Sequence, residues 1–324
     1  MNEKLYRDFI ASRDTVRKVF RMESAYIYPI CANIFCARGV QADPQRLRDG
    51  RDILREKTGV FSNFRGTIRP LIISLLAVQS DPEGRLERAV SHYKALKERF
   101  WGSQYLALAA FLMTDLTSEA GAAEKVARGR ALYERMKAEH PLLTSSEDSV
   151  FAVLLAFSAQ SDDALLEDME RCYALLRKRF HQRNAVQSSS HVLSLLPGTP
   201  EEKVGRMLTI YDRLLDAGGR YGKSYQLPTL AAMAGLDADP ETLVREMLEA
   251  DRFLAGQKGY GVLGLDRRTR MMHAAMLVSD AYSPRAQVDT AAMAGTISLI
   301  AAQQAAMCAV IASTSATAAS ASSH

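Results

Sequence analysis

The chain has 324 residues, 48% hydrophobic and 24% charged, ordinary values for a folded soluble protein. A single globular core stops growing near roughly 250–300 residues, a limit that a repeat architecture escapes because each unit packs only on its neighbours. The net charge of +4 is split between a mildly basic front end, with 14 Lys/Arg against 8 Asp/Glu in residues 1–70, and a near-neutral remainder; this argues against nucleic acid, which calls for a strong basic stripe or patch.

From the N-terminus, residues 3–22 predict an amphipathic helix, with Leu5, Phe9, Val16 and Phe20 on one face and Lys4, Arg7, Asp14 and Lys18 elsewhere. A second helix is expected over 24–37, apolar on most sides, with Pro29 inside it as a point of kinking or splitting. Charges interrupt the opening MNEKLYRDFI, so no signal peptide is expected. The pair reads as a helical cap over residues 1–40, since terminal repeats are often atypical.

A register then takes over. Ile53, Tyr93, Tyr133, Tyr173, Tyr211 and Asp251 mark position zero of six units of about forty residues. Eleven residues before it stand Pro82, Pro200 and Pro240, each preceded by Asp or Thr and followed by Glu; Asp162 holds that place in the fourth unit, and the first has Asp43-Pro44 two residues nearer. Proline at the first helical position loses no hydrogen bond, Asp or Thr before it caps the free amides, and Glu complements the helix dipole. Leu86, Val126, Leu166, Val204 and Val244 (seven before), Ala89, Gly129, Met169, Met207 and Met247 (four before), and Leu96, Met136, Leu176, Leu214 and Leu254 (three after) form one helical stripe.

Each unit closes with a more apolar helix, expected over 66–79, 104–115, 148–160, 185–196, 226–235 and 268–281. Helices apolar on most sides are buried, which places them in an inner layer and the first helices in a wetter outer one. The array runs over 41–285. Beyond it, Thr290–Ser323 carries no charge: residues 286–313 are expected to hold an Ala-rich closing helix and 314–324 a disordered tail. The fold class is all-α: tandem hairpins forming an α-solenoid or a closed α/α ring.

Candidate chemistry is sparse. Gly259, Gly261 and Gly264 match GxGxxG, but a helix precedes them where a dinucleotide site needs a strand, so the segment reads as an interhelical turn. Gly222-Lys223-Ser224 resembles the end of a P-loop but has Ala217 where the motif needs Gly. The histidines form no i,i+3 or i,i+4 pair, and Cys31, Cys36, Cys172 and Cys308 match no metal or redox spacing, so no metal and no cofactor is expected, and the thiols read as reduced. The basic run Arg177–Arg183 ends a helix, where cations suit the dipole. Acidic residues such as Glu147 and Asp148 sit at helix starts and read as caps. Arg270 and His273, entering the last apolar helix, and Gln303 and Gln304 in the closing one, are the candidate binding residues: a few polar groups in an apolar lining.

GLDRRTRMMHAAMLV (264–278) and ISLIAAQQAAMCAVI (297–311) resemble an uncharacterised bacterial family, domain of unknown function 4003, over most of the chain. The resemblance implies a bacterial, cytoplasmic helical protein; it carries over no functional residue.

The expected function is a non-catalytic helical-repeat scaffold that binds a protein, peptide or small ligand in a bacterial cytoplasm, with neither nucleic acid nor membrane as a partner. Two alternatives stand beside it. One is an α/α-ring enzyme or ligand-binding protein with an inner pocket near Arg270 and His273. The other associates with a membrane through its tail, which the mid-segment Gln303-Gln304 argues against.

Overall fold

A computed structural model describes residues 3–261, 264–282 and 307–311. Two helices open the chain, α1 (Glu3–Val19) and α2 (Ile27–Ala37). Six hairpins follow: α3 (Pro44–Lys57) with α4 (Arg69–Ala77), α5 (Pro82–Lys97) with α6 (Gln104–Leu116), and α7 (Glu119–Glu139) with α8 (Asp148–Leu155). Then come α9 (Asp162–Arg177) with α10 (Arg183–Ser194), α11 (Pro200–Asp216) with α12 (Leu227–Met233), and α13 (Pro240–Ala255) with α14 (Arg267–Tyr282). The fold is all-α and built from the repeat that the register predicts.

Helix starts follow the expected chemistry. Asp43, Asp81, Thr199 and Asp239 each cap a helix whose first residue is proline, accepting from the amides of Gln45, Gly84, Glu202 and Thr242. At Thr199 the Glu202 carboxylate also accepts the Thr199 amide at 2.8 Å, completing a capping box. Several boundaries differ from expectation, among them the end of α8, at Leu155 and not 160, and two have a clear cause. Pro29 neither kinks nor splits α2, because the helix begins at Ile27 and the proline falls in its first turn, where a missing N–H costs nothing. Helix α7 begins at Glu119, three residues before the place of the other prolines; Ala122 stands there, and nothing in its chemistry stops the helix from extending upstream.

The chain divides into two compact units. One contains Ser12–Phe35 and the first three hairpins, within Ala42–Asp162. In it α3 packs on α5 and α5 on α7, while α6 packs on α8. The other contains the described residues up to Ala11, Cys36–Gln41 and the described residues within Asp163–Val310. There α11 packs on α13, α10 on α12 and α12 on α14. Every residue of α8 and α12 is buried, as are Pro70–Ala77 of α4 and Tyr105–Met113 of α6, whereas the first helices keep exposed faces. Gly129 lets α7 approach α8 closely: a Cβ there would lie 3.3 Å from Ala152 O and Val153 Cα.

Position zero joins neighbouring hairpins. Tyr93 meets Phe64 of the preceding hairpin edge-on at 5.3 Å between centroids, Tyr133 meets Phe100 at 5.7 Å, and Tyr211 meets Phe180 at 5.2 Å. The tyrosine is therefore a packing residue between hairpins. A second device sits five residues earlier. Arg128 donates to the carbonyls of Ala156 (3.1 Å), Ser158 (2.6 Å) and Gln160 and pairs with Asp162 at 2.7 Å; Arg206 donates to those of Leu236 (2.7 Å) and Ala238. Each arginine thus gathers carbonyls beyond the end of its own hairpin's second helix. Replacing Arg128 by Ala is expected to cost about 2–3 kcal/mol in urea unfolding, and Lys at this site should recover less than half, because a point charge cannot fork across several carbonyls.

A buried carboxylate adds a pH dependence. Asp148 accepts the Ser145 amide at 2.8 Å, and burial, the largest influence, pushes its pKa up to about 7 from 3.8. A raised folded-state value means stability is fully present below the unfolded value and lost as pH rises through the folded one. Between those two values the slope approaches about 1.4 kcal/mol per pH unit. Asp148→Asn should flatten that decline in unfolding curves recorded from pH 4 to 8; an unchanged slope would contradict the assignment.

Candidate functional site

Arg270 and His273 lie one turn apart near the start of α14, in the compact unit that also holds the chain's first residues. Helix α14 follows α13 through the glycine segment. Gly259 and Gly261 have φ of 95° and 120°, and a Cβ on Gly264 would fall 2.3 Å from Gly259 O, so the segment is a tight turn. The Leu265 amide donates to Gly259 O and the Gly261 amide to Leu265 O, with Val262 and Leu263 outside the described residues. Helix α13 precedes this turn, as the interhelical reading expects.

The Arg270 guanidinium forms a two-pronged ion pair with Asp251 of α13, Nε to Oδ1 at 2.7 Å and Nη2 to Oδ2 at 3.0 Å, with both side chains largely buried. The hydrogen bonds that Arg270 donates to Asp251 hold its pKa above the ordinary value, against the opposing pull of burial. His273 is buried, and its Nδ1 lies 2.9 Å from Tyr260 Oη in one shared hydrogen bond. The Tyr260 and Phe9 rings flank the imidazole at 5.8 and 6.4 Å. Tyr6 of α1 stacks at a tilt on Phe253 of α13 at 5.5 Å, and burial, helped by Glu246 and Glu249, pushes its hydroxyl up to about 12. Further along α14, Asp280 is buried close enough to Cys36 to help raise that thiol, after burial itself.

The structure thus brings Arg270 and His273 together on one helix. Gln303 and Gln304 lie outside the described residues; the nearest described part of the closing segment is 307–311, helical, with Cys308–Ile311 buried. Asp251, Tyr260 and Phe9 are partners of this pair that the sequence did not reveal. Asp251 carried the one available signal: a carboxylate replacing the register tyrosine, shortly before a buried arginine. Also missed was the polar character of α10, where Gln187, Ser190, His191 and Ser194 lie on one buried face. The hydroxyls of Ser190 and Ser194 donate to the carbonyls of Gln187 and Ser190 in the preceding turn.

Among the described residues no three His, Cys, Asp or Glu side chains are grouped so as to hold a metal ion, and no helix is long and apolar enough to cross a membrane. All four cysteines are buried free thiols whose pKa values burial raises; a raised value disfavours the nucleophilic thiolate.

Comparison with known proteins bears out the family resemblance. Over 201 residues the chain is 27% identical to "Uncharacterized protein YeaA" of Bacillus subtilis (strain 168), a match covering 60% of each, so it spans about three-fifths of that relative's length. No solved structure matches. The family model described as "Protein of unknown function (DUF4003)" matches residues 14–305. The chain belongs to the DUF4003 family.

Proposed function

We propose that this chain is a non-catalytic helical-repeat scaffold that binds a protein or peptide in the bacterial cytoplasm. The observation that carries the reading is how its polar residues are used. Arg270 is engaged by Asp251 and His273 by Tyr260, while Arg128 and Arg206 are engaged by backbone carbonyls. In this reading those groups hold hairpins in register, and recognition falls to the exposed faces, as in other stacked-repeat proteins. Affinity capture with the full chain from a bacterial lysate tests it. Specific recovery of a protein or peptide supports the scaffold. An empty eluate, with a metabolite that raises the melting temperature only while Arg270 and His273 are intact, would replace it with the ligand-binding alternative.

A further inference from the structure

Four of the most exposed large apolar side chains recur at one place in the repeat. Met22 (95% exposed), Phe61 (100%), Trp101 (92%) and Leu142 (95%) each stand in the loop between the first and second helix of a pair: α1–α2, α3–α4, α5–α6 and α7–α8. Phe61, Trp101 and Leu142 are forty and forty-one residues apart, in step with the register. All four belong to the same compact unit.

Contacts between successive loops and the helices that flank them place them side by side. Arg69, after the second loop, pairs with Glu23 of the first at 2.6 Å. Asn63 of the second donates to Tyr93, just before the third, at 2.6 Å, and Thr67 to Gln104 at 2.5 Å. Across the third and fourth, Phe100 packs on Tyr133, and Tyr105 donates to Glu147 at 3.5 Å. The four apolar tips therefore line one edge of this unit. Around the first three tips the edge is basic: residues 17–23, 55–66 and 94–103 each hold three Lys/Arg against one Glu, and Arg17, Lys18, Arg21, Lys94, Lys97 and Arg99 are exposed there, whereas the fourth loop sets Lys137 against Glu139, Glu147 and Asp148.

We propose that this loop edge docks on an anionic lipid surface, with Met22, Phe61, Trp101 and Leu142 entering the headgroup region and the flanking lysines and arginines meeting its charge. The basic flanks select a negative partner. The tips select a lipid phase over a peptide: they project almost fully into solvent, whereas a bound segment needs pockets for its side chains. Aromatic residues such as Trp101 and Phe61 suit the interface between headgroups and acyl chains. The edge is peripheral, and the inference stands apart from the scaffold reading.

Trp101 is the chain's single tryptophan, so its fluorescence reports this edge directly. The full chain is mixed with vesicles of phosphatidylcholine alone or of phosphatidylcholine with phosphatidylglycerol. The expected result is sedimentation with the anionic vesicles, a blue shift of Trp101 emission and its quenching by brominated lipid. Phe61→Ser with Leu142→Ser, and separately Arg21→Glu with Lys94→Glu and Arg99→Glu, should each weaken binding at least tenfold while leaving circular dichroism unchanged. The proposal is overturned if anionic vesicles leave Trp101 unshifted, if both variant sets bind as the parent does, or if an acidic amphipathic peptide shifts Trp101 where vesicles do not.

Discussion

Replacing Lys203 by Met is expected to destabilise the chain by about 3–5 kcal/mol, because it strands a carboxylate in the interior. Lys203 on α11 and Asp168 on α9 form a buried ion pair. The Lys203 ammonium also reaches the carbonyl of Leu196 beyond the end of α10, at 3.4 Å, and the Cys172 thiol donates to Asp168 Oδ1 at 3.3 Å. The register explains why the pair exists. Hairpins three and five have Arg128 and Arg206 five residues before position zero, gathering the carbonyls that follow their second helices. The fourth hairpin has Asp168 there, which cannot donate, and a lysine from the next first helix does that work instead. The double variant Asp168→Leu with Lys203→Met should recover most of the loss, since a buried pair exchanged for apolar residues of similar volume is often neutral. Chemical denaturation followed by far-ultraviolet circular dichroism reads both, and a Lys203→Met variant as stable as the parent would contradict the pairing.

Much of the fold was legible because local signals agree with one another. Proline after Asp or Thr, the three-and-four stripe and the forty-residue period all name the same helix starts, and consistency across levels is what makes a sequence readable. Legibility failed where one signal was missing or ambiguous. The third hairpin has Ala122 in place of proline, so its helix start could not be read, and α7 runs upstream to Glu119. Pro29 could kink a helix or begin one, and only the position of Ile27 as first residue decides which.

The site was less legible, because its partners come from separate parts of the chain. Arg270 and His273 stood out as polar residues entering an apolar helix. Their companions come from α13, the glycine turn and α1, so pairing Arg270 with Asp251, or His273 with Tyr260 and Phe9, required the fold. Asp251 occupies the position that holds tyrosine in four of the six units. In the structure it has a bond of its own: where Tyr93, Tyr133 and Tyr211 pack on a phenylalanine of the preceding hairpin, Asp251 reaches across to α14. The polar face of α10 was hidden for a different reason, since its serines satisfy themselves within the helix and leave the apolar pattern nearly intact.

The second large effect is expected at this pair, and it bears on whether α14's polar groups lock the sixth hairpin or serve a ligand. Arg270→Met leaves the Asp251 carboxylate in a largely buried place without its cation, and a loss of about 3 kcal/mol is expected. Asp251→Leu leaves the guanidinium equally stranded. The deciding measurement is the double-mutant cycle, read by urea unfolding of the parent, both single variants and the double. The account predicts that the double variant loses no more than either single one, giving a coupling of about 2 kcal/mol or more. Single losses that simply add, with no coupling between Arg270 and Asp251, would contradict it and return Arg270 to its candidate binding role.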